Sequence, residues 1–173
     1  SVNFMVIEKV AFQSNDQFKK IINLTKKNNC IAWLNCMARL FPIYKKIKKE
    51  MINDKKIYFN VSAGNFFLGS NSIHIIDLFL FISNQLSINL NCKNLEKNIY
   101  KSKRKNFLEL AGTLTGKSTR GDILNITSYH NSNLPFLLTV ISKNQQHLVT
   151  YQNNKLILQS CYYKKNWSIF KST

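Results

Sequence analysis

Glycine and proline are scarce, at 5 and 2 residues, which excludes collagen-like and proline-rich low-complexity chains. Acidic residues are few, 8 against 25 lysines and arginines, for a net charge of +17. Arginine itself is rarer still, at Arg39, Arg104 and Arg120 alone. No apolar run reaches the roughly 18 residues of a membrane-spanning helix, so no membrane span is expected. The longest run, residues 75–82, is broken by Asp77. Cys30, Cys36, Cys92 and Cys161 form no C-x-x-C pair, so neither a zinc knuckle nor a thioredoxin motif is supported, and no metal is expected. No basic start and cleavage site flank the short apolar opening, so no leader is expected, and reduced thiols in a cytoplasm are the default. No G-x-G-x-x-G segment and no repeat of fixed period occur.

What is present is a folding composition. The chain has 173 residues, 45% hydrophobic and 12% aromatic, which excludes a disordered tail. A chain of this size buries roughly 70% of its unfolded surface without disulfides or metals. Lysine (22), asparagine (23) and isoleucine (19) dominate, the pattern of A/T-rich codons. The lysines are spread along the whole chain. Nucleic-acid readers cluster theirs and use arginine on bases. The charge therefore reads as compositional, with salt-sensitive sticking to polyanions but no specific nucleic acid as partner.

The first half alternates strands and helices. Residues 2–7 form a short apolar run, read as a buried strand. Ser14, Asn15 and Asp16 offer helix caps, with Phe18, Ile21, Ile22 and Thr25 following at helical spacing to an end near Asn28 and Asn29. Residues 31–34 form a second buried strand. Strand, helix and strand so close together make a βαβ unit with parallel strands. Residues 41–51 read as a helix, with Pro42 in its first turn, Ile43, Ile47 and Met51 on its dry side, and Lys45, Lys46, Lys48 and Lys49 on its wet side. Residues 56–62 read as a strand and 71–82 as a helix apolar nearly all round. Beyond Asn84 the pattern turns to strands at 108–115, 123–129, 136–142, 147–152 and 156–159. Asn144-Gln145 and Asn153-Asn154 sit where hairpin turns belong, so an antiparallel meander is expected.

Ala111 to Ser118 matches a relaxed phosphate-loop pattern. A working phosphate loop follows a strand and opens a helix, whereas Thr119 to Asp122 here precede a second alternating run. A hairpin is expected instead, and Arg120-Gly121-Asp122 is its turn. Glu8 and Lys9 follow the first strand, and ligands in open α/β sheets bind at the carboxyl ends of strands. Residues 64–77 are the densest polar constellation, placing small residues, Asn65, Ser70, Asn71, His74 and Asp77 at the entrance of an apolar helix. His74 and Asp77 share a helix face, so Asp77 can orient the imidazole while His74 exchanges a proton. The same pair also suits a contact that simply locks the helix. His130 and His147 have no ligand-spaced partner. Lys101, Lys103, Arg104 and Lys105 form a basic run before a strand, read as a solvated loop.

The order of these elements resembles the glucose–fructose oxidoreductase / inositol dehydrogenase family (Gfo/Idh/MocA), NAD(P)-dependent oxidoreductases acting on sugars, cyclitols and sugar nucleotides. The stretches that carry the resemblance are Ile7-Glu8-Lys9-Val10, Trp33 to Arg39, residues 64–77, and the basic run leading into the later strands. The resemblance implies that Lys9 stands at the nicotinamide and the reacting carbon, with Glu8 beside the cofactor. It implies that His74 exchanges the hydroxyl proton, and that Arg39, Asn65, Ser70, Asn71 and Asp77 line the substrate. Three positions depart from the family pattern: Val10 replaces the usual proline, Ser70 stands where an aspartate is common, and Ser72 where a glycine is.

The fold expected is α+β, a mostly antiparallel open sheet with helices packed on one face, preceded by a βαβ remnant of a dinucleotide-binding domain. The boundary expected is 1–36 for the remnant and 37–173 for a substrate-binding and oligomerisation domain. Expected partners are a sugar-like small molecule, NAD or NADP, and further copies of the chain through the open sheet face. A non-catalytic assembly domain of the same fold and a polyanion-binding module are the alternatives.

Overall fold

The computed structural model describes residues 2–172 apart from Val10, Gln13, Lys103, Lys165 and Asn166. The chain divides into two compact units, Ser1–Met37 and Ala38–Thr173.

In the first unit, β1 (Phe4–Ile7) pairs in parallel with β2 (Ile31–Leu34), Phe4 opposite Ile31. Helix α1 (Asn15–Lys27) joins them. Ser14 caps it by accepting from the Gln17 N–H, and Asp16 in the first turn with Lys26 and Lys27 in the last complement the helix dipole. The Asn28 N–H closes the helix on the Leu24 carbonyl. The expectation of buried strands is corrected here. Val6 is 67% exposed and Trp33 51%, and the Phe4 and Trp33 rings stack at 5.8 Å in the open. Two short strands and one helix have too little surface to cover both faces of a sheet.

A 3-10 turn (Met37–Leu40) spans the division and leads into α2 (Pro42–Met51) of the second unit, with Pro42 in its first turn as read from the sequence. Strand β3 (Tyr58–Gly64) then precedes α3 (Leu68–Ser83). After α3 come β4 (Ile88–Leu95), the short hairpin β5 (Tyr100–Lys101) and β6 (Leu108–Glu109), then β7 (Gly112–Ser118) and β8 (Ile123–Tyr129). The last strands are β9 (Leu137–Ile141), β10 (Gln145–Gln152), β11 (Lys155–Lys164) and β12 (Trp167–Ser172). The main sheet has the order β12-β11-β10-β9-β3-β8-β7-β4.

Most pairs in this sheet are antiparallel, but the simple meander is not what forms. Strand β8 runs parallel to β3, Tyr58 opposite Ile123, and β9 returns on the other edge of β3. Strand β3 is thereby enclosed between two later strands, which sequence order alone does not reveal. The expected strand 108–115 is two strands, because Gly112 has φ +96° and only glycine takes that bend without strain. Strand β4, in which Ile88, Leu90 and Cys92 alternate with polar residues, is not among the strands read from the sequence. The β9–β10 turn falls one residue earlier than expected, since Gln145 already pairs with Tyr162. Asn153 and Asn154, at φ +48° and +60°, make the β10–β11 turn as expected.

Alternate residues of the strands bury against the helices. Phe59, Val61, Leu124, Ile126, Leu138, Val140, Val149 and Leu158 pack against Tyr44, Ile47, Met51, Leu78, Phe79 and Ile82 of α2 and α3. The rings of Phe59 and Phe79 meet edge to face at 5.8 Å. The opposite residues carry a polar row: Asn125 Nδ2 donates to Asn60 Oδ1 at 2.8 Å, and Asn60 Nδ2 to Thr139 Oγ1 at 3.3 Å. Among the described residues no helix is long and apolar enough to cross a membrane.

Candidate functional site

The residues singled out in the sequence fall in both units. In the first, the carboxyl ends of β1 and β2 are tied together, with the Asn35 side-chain amide donating to Glu8 Oε1 and the Asn35 N–H to the Ile7 carbonyl. Lys9 follows directly. Val10, a point of departure from the family pattern, lies outside the described residues, as does Lys103 of the basic run.

In the second unit Asn65 and the residues after it follow the ends of the parallel strands β3 and β8, the kind of edge at which open α/β sheets bind ligands. Two loops meet there. Asn65, in the left-handed region at φ +46°, accepts the Asn131 N–H at 2.9 Å and donates its own N–H to the Tyr129 carbonyl at 2.8 Å. Gly64 allows this approach, because a Cβ there would lie 2.2 Å from the Ser132 carbonyl oxygen. Phe67, at φ +60°, turns the chain into α3 without a side-chain cap.

The cap comes from elsewhere. The Ser70 N–H donates to Glu109 Oε2 at 3.2 Å, and Glu109 is only 2% exposed. A buried carboxylate thus sits on the positive end of α3, where the helix dipole favours it. Asn71 donates to the Phe66 carbonyl, folding the loop back on the first turn. Ser70 and His74 follow each other at one-turn spacing on α3. Glu109 was missed in the sequence. Its signal was a carboxylate inside the apolar run 107–111, a costly placement unless the group is bonded.

Asp77, expected to orient His74, is engaged by another partner. Arg39 Nε donates to Asp77 Oδ2 at 2.6 Å and Arg39 Nη2 to Oδ1, a bidentate ion pair. Arg39 also lies over the Phe81 ring at 5.5 Å, and Lys48 covers the same ring at 4.1 Å. Arg39 and Asp77 are therefore brought together, while Asn65, Ser70 and Asn71 hold the loop that presents His74.

Beside this edge, Tyr100 and His130 stack with ring centres 3.6 Å apart. Tyr100 donates to Glu96 Oε2, and that bond holds the phenol above its usual range. The phosphate-loop match is a hairpin, β7 to β8, with no helix after it. Asp122 in its turn is fully buried and accepts from the Ile57 N–H, Ser118 Oγ and Arg120, so this Arg-Gly-Asp is structural.

A second polar cluster, unforeseen in the sequence, joins α2 to the sheet. His147 is fully buried; its Nδ1 lies 2.8 Å from Ser160 Oγ and its Nε2 3.4 Å from Glu50 Oε2, within ion-pair range but without a hydrogen bond. Tyr162 donates to the same Glu50 oxygen at 2.8 Å. Burial pushes the imidazole below its usual range; Glu50 opposes that, Lys46 adds to it and Asp54 opposes it. Among the described residues no group of three or more His, Cys, Asp and Glu side chains could hold a metal ion.

No family model matches the chain, and no curated protein matches it. Solved structures do. The dehydrogenase MviM from Clostridium difficile aligns over 97% of this chain and 54% of its own, at 19% identity and a TM-score of 0.65. The UDP-N-acetylglucosamine 3-dehydrogenase GnnA from Acidithiobacillus ferrooxidans aligns over 97% of this chain and 55% of its own, at 11% identity and a TM-score of 0.68. The transcriptional regulator Gal80p from Kluyveromyces lactis aligns over 99% and 51%, at 13% identity and a TM-score of 0.66. The chain thus spans about half the length of these proteins. At such identities the likeness establishes the fold, which is that of the C-terminal sheet domain of Gfo/Idh/MocA-type oxidoreductases.

Proposed function

We propose that the chain is the substrate-binding and oligomerisation part of an NAD(P)-dependent oxidoreductase acting on a hydroxyl or carbonyl of a sugar, cyclitol or sugar nucleotide. The observation that supports it most is the edge where β3 and β8 end in parallel. There a bonded loop leads into a carboxylate-capped helix that carries His74 in its second turn.

His74 serves as the proton carrier, taking the proton of a substrate hydroxyl in one direction and returning it in the other. Ser70 replaces the aspartate common at its position, so it bonds a hydroxyl but does not act as a base. Arg39, held by Asp77, lines the substrate, and Asn65 and Asn71 hold the loop. Lys9 belongs to the first unit, and its role at the nicotinamide rests on the family resemblance alone. Residues 1–36 are read as the remnant of a cofactor domain. The residues read as meeting a nicotinamide cofactor are Glu8 and Lys9 after β1, where Asn35 donates to Glu8. A nicotinamide supplies hydride acceptance when bound. No G-x-G-x-x-G segment for its diphosphate occurs in these residues. The sheet face left open by the helices, with its Asn125–Asn60–Thr139 row, is the surface for a second copy.

The test is turnover in the protein at its natural length, followed by nicotinamide absorbance against hexoses, inositols and UDP-sugars. His74→Asn should lower kcat about 10²–10⁴-fold, the usual worth of a general acid–base. Unchanged turnover in that variant overturns the assignment.

A second reading, a non-catalytic assembly domain, is favoured by Ser70 at the aspartate's place and by the fold being shared with the transcriptional regulator Gal80p. Absence of turnover together with retained self-association would select it. A polyanion-binding module is the remaining alternative, and it would show a steep salt dependence together with sequence preference.

A further inference from the structure

The opposite end of β3 carries a different kind of site. The strand runs from Tyr58 to Gly64, about 20 Å at the usual rise per residue, so its start lies far from the His74 edge. Tyr58 pairs with Ile141 at the end of β9. That register brings the loop before β3 and the turn after β9 to one edge of the sheet. Between them is a cavity of about 560 Å³, lined by Asp54, Lys55, Lys56, Tyr58, Lys143 and Asn144 among others.

Three lysines thus come from two separate segments to the wall of one depression. Among the described residues none of the three makes an ion pair. The single carboxylate present, Asp54, accepts from Gln145 Nε2 at 2.8 Å, and that same amide donates to the Glu50 carbonyl at 2.7 Å. Lys56 holds its ammonium over the Tyr58 ring at 4.7 Å. Both segments are pinned. The Asp54 N–H closes on the Met51 carbonyl at 3.0 Å, and the Ser142 N–H on the Gln145 carbonyl at 2.9 Å. Like charges held around one concavity raise the local potential and draw in an anion.

We propose that this groove binds a diphosphate group. Three lysines against one carboxylate leave two positive charges in the wall, which suits an anion of two or more charges better than a lone carboxylate. One face of the Tyr58 ring is covered by Lys56, so the groove's chief offer is charge to phosphates. The site stands apart from the proposed catalytic edge and does not depend on that reading.

Titration of the full chain with inorganic pyrophosphate, read by amide chemical shifts, tests this. Shifts should concentrate at residues 53–58 and 141–145 and weaken with added salt. The combined variant Lys55→Gln, Lys56→Gln, Lys143→Gln should raise Kd at least about tenfold, the effect of losing roughly 1.4 kcal/mol. A control removing equal charge from β4 and the segment after it, three strands away from β3 in the same sheet (Lys93→Gln, Lys97→Gln, Lys101→Gln), should leave Kd within about twofold, because exposed charges beyond a Debye length are screened. Equal Kd for pyrophosphate and ADP identifies the free diphosphate as sufficient. Tighter ADP binding, with the same lysine dependence, identifies a nucleoside diphosphate as the source. Shifts spread over lysines along the whole chain, equal losses in both variants, or ADP binding without pyrophosphate binding would overturn the proposal.

Discussion

Arg39 and Asp77 stand 38 positions apart in the chain and meet as a bidentate pair, Nε on Oδ2 and Nη2 on Oδ1. The pair ties the turn before α2 to the turn of α3 that follows His74. Both partners are partly exposed, so its stabilisation is modest. A double-mutant cycle of Arg39→Gln and Asp77→Asn should give a coupling of about 1 kcal/mol in urea melts, the upper end for exposed pairs. It should shrink in high salt. Strict additivity would show that the pair contributes nothing.

Asp122 holds the start of β3 to the β7–β8 turn through Ile57, Ser118 and Arg120. Asp122→Ala strips the buried end of an ion pair and orphans two donors. The expected loss is about 3–5 kcal/mol, read as a lower guanidinium midpoint with unchanged m. A loss below that of an ordinary surface substitution would contradict this account.

His147 makes stability depend on pH. Its folded value lies below the 6.5 of a free imidazole, chiefly through burial. As pH falls, the unfolded chain binds its proton first. This contribution is therefore complete above about 6.5 and is lost as pH drops from there through the folded value. The slope from this one group is at most about 1.4 kcal/mol per pH unit. Thermal melts from pH 8 downward should show the loss, and His147→Gln should remove that part of the slope. An identical slope in the variant would contradict it.

Gly64 is required by space alone. A methyl group there would strike the Ser132 carbonyl oxygen at 2.2 Å and part the two loops at the β3 edge. Gly64→Ala should cost about 1–3 kcal/mol, as overpacking does, with the largest amide shifts at Asn65 and Asn131. A variant as stable as the parent would show that the loops move apart freely.

Much of this fold was legible in period and punctuation. The 3.6-residue pattern of Ile43, Ile47 and Met51 located α2, and alternation located β8 and β9. Asn153 and Asn154 marked a turn because asparagine tolerates positive φ. What was not legible is pairing across distance. Nothing local shows that β3 receives β8 on one side and β9 on the other, because register is set by contacts between residues some 65 or more positions apart. The site divides in the same way. His74, Asn65 and Asn71 were visible as a polar cluster at a helix entrance. Glu109, which caps that helix from 39 positions away, and the pairing of Arg39 with Asp77 become visible only once the chain is folded. The exposure of β1 and β2 was illegible for the opposite reason: apolar runs report the surface they prefer, not whether enough partners are present to cover it.

The central claim, that the β3–β8 edge is a sugar-binding site built on His74, is tested most directly by mapping ligands on the chain itself. Amide and imidazole shifts should be followed while UDP-sugars, hexoses and inositols are titrated in. The account predicts saturable shifts at Arg39, Asn65 and residues 70–77, with the His74 ring among the largest, and their loss in His74→Ala. Saturable shifts elsewhere that leave His74 unmoved, or no shifts with any of these compounds, would contradict it.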